Sequence, residues 1–593
     1  MRDKTVSLIV RSRLFALIKN AGYSTPEENK MRKHSLFALS AGLLLGGCEM
    51  VPQSMNFGGP ALSGQDVRLT IMHTSDIHSR VLPYEFDPSF TDRELGLGKC
   101  QGPYGGMDRI AYILKRERQR AGRSLHLDSG DCFQGAIVFN EFQGEAEVRS
   151  LTESGLDAAV IGNHEFDHGA HNLMAKASAH SGYDMLAANY DFESSEQPWA
   201  AELERMSLPS TIYSLDGLNV GVIGMANLSS LNSIHDEDNS LGVRALDEYR
   251  VIPEQAAKLR SMGADIIVIL SHMGLDDDIE FARHLSEIDV VIGGHHHVAI
   301  DPPLVVTNEI TGKRIPVVHS GAFAKFVGRL DLVIRDGEVL SHSYTLFPID
   351  RNVPSDPEVW EILNEYKEHL DYQYDTSQVI GEATRTLTRY GTTGGDSMLG
   401  NFAAEAMRSW PGVETEIAIT NTLGIRSNIG RDPDDICGDV GENATWPITV
   451  DDLYNSMPFD NTITTMFLSG REVQEVLDYV SSRSSERGCN SQAQVAGIEF
   501  TMNCRDQYAE DIYINGRPLD PNGTYELATN NYIAHGGSGF SMLERNTTQY
   551  DTGISIRDVV RASITEYYTL PLDTDGDGEE DVCVEDGRIL PFF

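Results

Sequence analysis

Five short clusters of ligand-type side chains run through the first half of this chain: Asp76-Ile77-His78, Gly130-Asp131, Asn163-His164, Ser271-His272 and Gly293-Gly294-His295-His296-His297. Together they offer carboxylate, amide and imidazole but no thiolate, a donor set suited to Mn, Zn, Fe, Co or Mg rather than to a soft metal. Asp76 and His78, two residues apart, can converge on one ion from an extended segment, and His295 and His297 share that spacing. The Asn163 oxygen can ligate such a cation. His164 then stands beside the metal without being consumed by it, and Asp167, three residues on, can bond that imidazole and fix its tautomer. A lone histidine is more often a structural hydrogen-bonding group, but five clusters in order are not explained that way.

Each cluster follows an apolar segment that reads as a strand: residues 68–73, 124–127, 158–161, 265–270 and 290–292, with a further strand at 220–224. Amphipathic helices at 108–119 and 253–262 fall between strands. Strands alternating with helices, each strand ending in polar residues, indicate a layered α/β fold, and such sheets build sites at strand ends. Residues 330–334 and 343–346 read as closing strands. Asp356 then caps a helix that opens on Pro357 and runs through residues 358–370. Beyond it, helices are expected at 401–408 and 469–479, and strands at 416–420, 463–468 and 525–529. The domains are read as 66–350, a helical connector at 351–378, and a second α/β domain at 379–593.

The segments His73-Thr74-Ser75-Asp76-Ile77-His78, Ser129-Gly130-Asp131-Cys132-Phe133-Gln134-Gly135, Gly162-Asn163-His164-Glu165-Phe166-Asp167, Ser271-His272-Met273-Gly274 and Gly293-Gly294-His295-His296-His297 resemble the calcineurin-like metallophosphoesterase signature and, more narrowly, the bacterial 5′-nucleotidase family. That resemblance implies a four-layer β-sandwich flanked by helices and a two-metal site. Asp76, His78, Asp131 and His297 are then expected to hold one divalent ion. Asp131, Asn163, His272 and His295 are expected to hold the other, and His296 has no ligand role. It implies in-line attack of a metal-activated water on phosphorus, with His164 serving the transition state or the leaving oxygen and Asp167 orienting it.

The second domain carries further resemblances. Asn421-Thr422-Leu423-Gly424-Ile425-Arg426 resembles the family's substrate loop, which implies that Asn421 bonds base or ribose and that Arg426 binds phosphate. Met457-Pro458-Phe459-Asp460-Asn461 and the segment from Asn531 to Phe540 resemble the two that supply stacking aromatics. Phe459 and Tyr532 are then expected to sandwich the base, with Asn461 beside them. Ser538 stands where the family carries an Asp for ribose hydroxyls, and a hydroxyl is the weaker acceptor. Arg389 is the nearest candidate for a second phosphate-binding arginine.

The chain has 593 residues, a formal charge of −42 and a hydrophobic content of 40%. It exceeds one ordinary core, and its acidic surface disfavours nucleic-acid polymers as partners. An acidic enzyme working on anions must neutralise its site locally, with divalent metal and a few arginines. Met31-Arg32-Lys33, an apolar run at 36–45 and Gly46-Gly47 before Cys48 read as an export signal. Met31 opens a complete signal by itself, so it is a candidate true start. Leu44-Leu45-Gly46-Gly47-Cys48 resembles a bacterial lipobox. This implies a signal region at 1–47, a lipidated tether at 48–65, and membrane attachment through Cys48, at the outer membrane given Glu49. The remaining six cysteines suggest disulfides, with domain grouping favouring Cys100–Cys132, Cys489–Cys504 and Cys437–Cys583. Alternating carboxylates from Asp573 to Asp581 resemble a structural calcium loop without the closing Glu.

The combined expectation is a lipid-anchored, metal-dependent phosphomonoesterase acting on nucleoside 5′-monophosphates. Its rivals are a broader nucleotide phosphohydrolase (UDP-sugars, 2′,3′-cyclic nucleotides, general phosphoesters), a thiosulfate-ester hydrolase, and a surface binding protein on the same scaffold. The complete set of ligand-type residues opposes the last.

Overall fold

The computed structural model describes residues 62–192, 197–231, 243–431, 444–574 and 577–593. The signal region, Cys48 and Cys437 lie outside the described residues. Residues 67–348 build two large sheets. One has seven strands in the order Glu338–Pro348, Phe326–Arg335, Val67–Thr74, Ser124–Asp128, Ala158–Val160, Asp184–Leu186, Ser207–Leu208. The other has six, in the order Leu304–Thr307, Arg314–His319, Val290–Gly293, Ile266–Ser271, Leu218–Met225, Ser210–Leu215.

The period of two in the sequence explains the layering. In Ile266–Ser271, the side chains of Ile266, Val268 and Leu270 enter a core shared with Leu69, Ile71 and Leu127 of the first sheet. Ile267 and Ile269 face the other way, into a core with Val251 and Leu259 of the helix Glu248–Ser261 and Phe281 of the helix Leu275–His284. Burial on both faces makes this strand a continuous apolar run. The helices Met107–Arg120, Glu145–Glu153 and Pro357–Tyr374 add Ile110, Leu151 and Leu363 to the shared core. The strands Val67–Thr74, Ser124–Asp128 and Ala158–Val160 are parallel neighbours, and so are Leu218–Met225, Ile266–Ser271 and Val290–Gly293. All five ligand clusters therefore leave the carboxyl ends of parallel strands, three from one sheet and two from the other.

Residues 379–592 form separate sheets. The largest has five strands, in the order Ala493–Ala496, Ile417–Asn421, Thr524–Asn530, Thr462–Ser469, Tyr550–Ser555. Among the described residues no sheet mixes strands of 67–348 with strands of 379–592. Between them, Asp356 caps the helix Pro357–Tyr374 by accepting the Val359 N–H at 3.1 Å. No helix of the described residues is long and apolar enough to cross a membrane.

Two expectations need correction. The helix read as starting at Pro253 begins at Glu248, capped by Asp247, whose carboxylate accepts the Tyr249 N–H at 3.0 Å. Proline removes one hydrogen bond from a helix already nucleated upstream, so it kinks or strains the helix without starting it. The cysteines also pair differently. Cys489–Cys504 forms, but Cys132 and Cys583 are free thiols, so neither Cys100–Cys132 nor Cys437–Cys583 exists. Cys132 is buried in the shared core, and the Cys583 thiol faces the Met398 carbonyl at 3.7 Å inside the second part. Cys100 is disulfide-bonded, but not to Cys132.

Replacing Cys489 and Cys504 with serine should lower the unfolding free energy by about 3 kcal/mol, the scale for a cross-link closing ~15 residues. Urea denaturation of the variant beside the parent chain measures it.

Candidate metal centre and substrate cleft

The five loops meet. Ligand atoms of Asp76, His78 and His297 lie within 4.8 Å of one another, as do those of His78, Asp131 and His164, and those of Asp131, His272 and His295. Shared members join the three groups into one centre. Asn163 belongs to it through its neighbour, because the His164 N–H donates to Asp131 Oδ1 at 2.8 Å. The first two loops are zipped together: the N–H groups of Asp76, His78 and Ser79 donate to the carbonyls of Gly130, Asp131 and Cys132 at 2.9, 3.0 and 2.9 Å. The backbone is strained to do this. Asp76, His78, Asp131, His295 and His297 have φ of 49°, 49°, 56°, 73° and 57°. For residues with a Cβ this region costs about 1–2 kcal/mol each.

A carboxylate that the sequence reading left without a role holds the floor of the site. Glu165 is 5% exposed and accepts the N–H groups of Gly162 at 2.6 Å, Asp131 at 3.0 Å and Cys132 at 2.7 Å. It thereby bridges the loop of Asp131 to the loop of Asn163. Gly162 leaves room for this, since a Cβ there would stand 2.3 Å from Asp131 Oδ1. The signal was available in principle: an acid directly after the histidine, opposite a Gly-Asp-Cys turn whose N–H groups need acceptors. His296, the histidine without a ligand role, also ties loops together. Its Nδ1 accepts the Leu275 N–H at 3.1 Å, at the start of the helix that follows His272.

The residues fit a divalent cation. His78 donates its Nδ1–H to the Gln134 carbonyl at 2.8 Å, and His272 Nδ1 bonds the Ser129 carbonyl, so each presents Nε2 to the centre. Nε2 of His78 and Nε2 of His297 stand 2.9 Å apart. Asn163 Oδ1 is buried without a hydrogen-bond partner among the described residues. Burial above all, then the positive charge of Arg426, keeps His78 neutral, and burial followed by His78 does the same for His297. Burial and then His272 push His295 down to about 3. Asp76 is raised to about 7, chiefly by burial, with the nearby Asp131 carboxylate adding to the rise against His272. Burial works to lower His272, but Asp131 and Asp76 outweigh it and lift it to about 10. Three neutral imidazoles, and a fourth whose positive charge the two carboxylates favour, form a cage suited to positive charge.

His164 is tuned differently. Its Nδ1 lies 2.7 Å from Asp167 Oδ2. Burial lowers its pKa, but the charges of Asp167 and Asp131 and the hydrogen bond to Asp167 outweigh that and hold it above the ordinary histidine value.

Part of the expected substrate set reaches this centre. The Arg426 guanidinium lies 3.4 Å from His78 Nε2 and 5.6 Å from the centre of the Phe459 ring. The Phe459 ring in turn is 6.1 Å from that of His164. Arg389 is behind them, donating to the Arg426 carbonyl and to the Tyr390 hydroxyl at 2.6 Å. Nε of Arg389 and Nε of Arg426 are both buried without partners among the described residues. Asn421 is buried, its Oδ1 accepting from Asn530 Nδ2 at 2.7 Å. Tyr532 and Ser538 bond each other, the Ser538 N–H donating to the Tyr532 hydroxyl at 3.1 Å, and Tyr479 donates to the Ser538 carbonyl at 2.7 Å. Among the described residues no ring contact joins Tyr532 to Phe459. Asn461 is half-buried, and its carbonyl accepts the Ile556 N–H at 3.0 Å. In the acidic turn, Asp573 accepts the Gly578 N–H and Asp581 the Thr574 N–H, at 2.9 and 3.0 Å. The expected calcium loop includes residues 575 and 576, which lie outside the described residues.

Known proteins resemble this arrangement. Residues 69–299 match the family model for calcineurin-like phosphoesterases, and residues 379–545 match the model for the 5′-nucleotidase C-terminal domain. A 5′-nucleotidase of Diplobatis ommata is 28% identical over 539 residues, covering 84% of this chain and 87% of that one. The crystal structure of a 5′-nucleotidase precursor from Thermus thermophilus superposes with a TM-score of 0.75 at 27% identity, covering 88% of this chain and 99% of the other. A sulfate thiohydrolase, SoxB, from the same genus superposes with a TM-score of 0.69 at 19% identity over 90% of this chain and 98% of its own, a likeness of fold alone.

Glu165→Ala should weaken divalent metal binding by about 10–100-fold, the usual effect of losing a group that orients ligands. Calorimetric titration with Mn²⁺ reads the change directly, without reference to turnover.

Proposed function

We propose that this chain, a member of the calcineurin-like phosphoesterases that carry a 5′-nucleotidase C-terminal domain, hydrolyses nucleoside 5′-monophosphates to nucleoside and phosphate. The observation that carries the choice of substrate is the meeting of Phe459 and Arg426 with His164 and His78. An aromatic face, a guanidinium, an imidazole and a ligand cage share one cleft, which matches a base, a phosphoryl group, a leaving oxygen and a metal centre. Residues 66–350 would be the metal-bearing domain, 379–593 the substrate-binding domain, and 351–378 their connector.

Asp76, His78, Asp131 and His297 would hold one divalent ion, and Asp131, Asn163, His272 and His295 a second. Bound there, such ions supply Lewis acidity and lower the pKa of a water. Arg426 neutralises the non-bridging phosphoryl oxygens, with Arg389 behind it. Phe459 takes one face of the base. Protonated His164 gives its proton to the departing 5′ oxygen, and Asp167, bonded to Nδ1, leaves Nε2 as the donating nitrogen. Export and attachment to the outer membrane through Cys48 belong to the same reading. The lipobox-like residues before Cys48 support it, and so does the Cys489–Cys504 disulfide, which suits an oxidising compartment.

Removing divalent metal with a chelator should abolish release of phosphate from AMP, and adding back Mn²⁺ or Zn²⁺ should restore it. His164→Ala should lower kcat by roughly 10²–10³-fold with metal content unchanged, whereas Asn163→Ala should lose metal. If neither chelation nor His164→Ala reduced phosphate release, the reading would be wrong. The pH profile adds a test. The acid form of His164 exists below its raised pKa and is lost as pH rises through it. Asp167→Asn removes the strongest charge holding that pKa up, so the alkaline limb of kcat should move to lower pH.

A further inference from the structure

Arg557 has no part in the chemistry above, yet it is one of the most heavily bonded side chains near the cleft. It lies in the first turn of the helix Ile556–Tyr567 and is 5% exposed. Its Nε donates to the Met457 carbonyl at 2.8 Å. Its Nη2 donates to the carbonyls of Pro458 and Phe459, both at 2.9 Å, and to Asp460 Oδ1 at 2.7 Å. The guanidinium also lies over the Tyr454 ring, 4.0 Å from its centroid. Three successive carbonyls converging on one point repel each other, and they hold that shape only around a donor carrying positive charge. Arg557 is therefore the group around which the carbonyls of the loop at 457–460 are arranged.

That loop carries Phe459. A second grip comes from the metal-bearing part, where Asn140 Nδ2 donates to the Pro458 carbonyl at 2.8 Å and to Asp460 Oδ2 at 3.0 Å. Arg557 sets the loop's shape, and Asn140 sets its place against the metal centre. None of these contacts touches the phosphoryl side of the cleft, where Arg426, His164 and the ligand cage stand.

We infer that Arg557 is a positioning residue for nucleobase selectivity: it fixes Phe459 as an aromatic platform beside His164 and so favours phosphoesters that carry a planar base over those that do not. This rests on the reading of Phe459 as the base-stacking residue. Lysine keeps the charge but offers a compact ammonium that cannot span the three carbonyls as the planar fork does.

The test uses the full chain with Mn²⁺ and two substrates, AMP and ribose 5-phosphate, which share a sugar phosphate and differ in the base. Arg557→Lys should raise KM for AMP about tenfold, the scale of one charge-assisted hydrogen bond, and leave kcat/KM for ribose 5-phosphate within about twofold. An equal loss on both substrates would make Arg557 merely structural and overturn the inference, as would an unchanged KM for AMP. Phe459→Ala run in parallel separates the two readings. If it leaves the preference for AMP intact, the stacking reading fails and takes this inference with it. If it removes the preference while Arg557→Lys keeps it, only the role of Arg557 fails. Should Arg557→Lys not melt cooperatively, Asp460→Ala removes the exposed anchor of the same guanidinium. It should show the same split at about threefold, and its absence there overturns the inference equally.

Discussion

The structure turns on two carboxylates taken out of water next to each other. Asp76 and Asp131 are 0% and 1% exposed; burial and then the Asp131 charge push Asp76 up, whereas at Asp131 burial is outweighed by His272 and His164, which hold it well below the ordinary carboxylate range. Buried like charges persist only where positive charge is delivered to them and where the surrounding groups cannot relax away. Both conditions are met by the same loops. Backbone carbonyls at Gln134 and Ser129 turn Nε2 of His78 and Nε2 of His272 towards the carboxylates, and Glu165 gathers the N–H groups that would otherwise let the Asp131 and Asn163 loops drift apart. Burial and then the Asp131 charge push Glu165 up, and four backbone N–H donors offset only part of that cost.

The strained conformations of five ligand residues follow from this. A side chain must turn sharply at the end of a strand to point back over the sheet, and the left-handed region supplies that turn without adding residues. The strain is held by what lies behind it: Ile266, Val268, Leu270 and Ile292 are fully buried and pack the two sheets into a shared core. Rigid strands on both sides fix where the loops start, and hydrogen bonds such as Asp76 N–H to Gly130 fix where they end. A loop on a softer scaffold would trade the strain for solvent exposure of the carboxylates.

How much of this could be read from the chain follows from the same physics. Strands announced themselves as apolar runs ending in polar residues, and the ligand clusters fell at those ends, so the centre was legible apart from its geometry. The cap at Asp356 and Pro357 was legible because capping is local. Of the cysteine pairs Cys489–Cys504 was legible, but Cys100–Cys132 was not, because Cys132 lies inside the core and sequence proximity to Cys100 carries no information about that. Glu165 sat in plain view inside a motif, but its partners are backbone N–H groups, which every residue has and no pattern marks. Arg557 is harder still, since it is 97 residues from Asp460 and binds carbonyls. Side-chain chemistry is written in the sequence, whereas acceptance and donation by the main chain appear only once the chain is folded.

The same distinction explains how an acidic protein holds an anion. Many surface arginines are matched with carboxylates, as Arg118 is with Asp157, Arg260 with Asp289 and Arg329 with Asp331. Two arginines on the phosphoryl side of the cleft make their hydrogen bonds to uncharged acceptors. Arg389 bonds the Arg426 carbonyl and the Tyr390 hydroxyl, and Arg426 faces His78. A guanidinium on a carboxylate contributes little field beyond its own contact, whereas one held by carbonyls keeps its charge to spend on an incoming group. With 89 acidic residues against 47 basic ones, leaving these two guanidinia without a direct carboxylate partner among the described residues takes as much specification as placing them. A main-chain carbonyl and a hydroxyl hold Arg389 there, as carboxylates hold arginines elsewhere on the molecule.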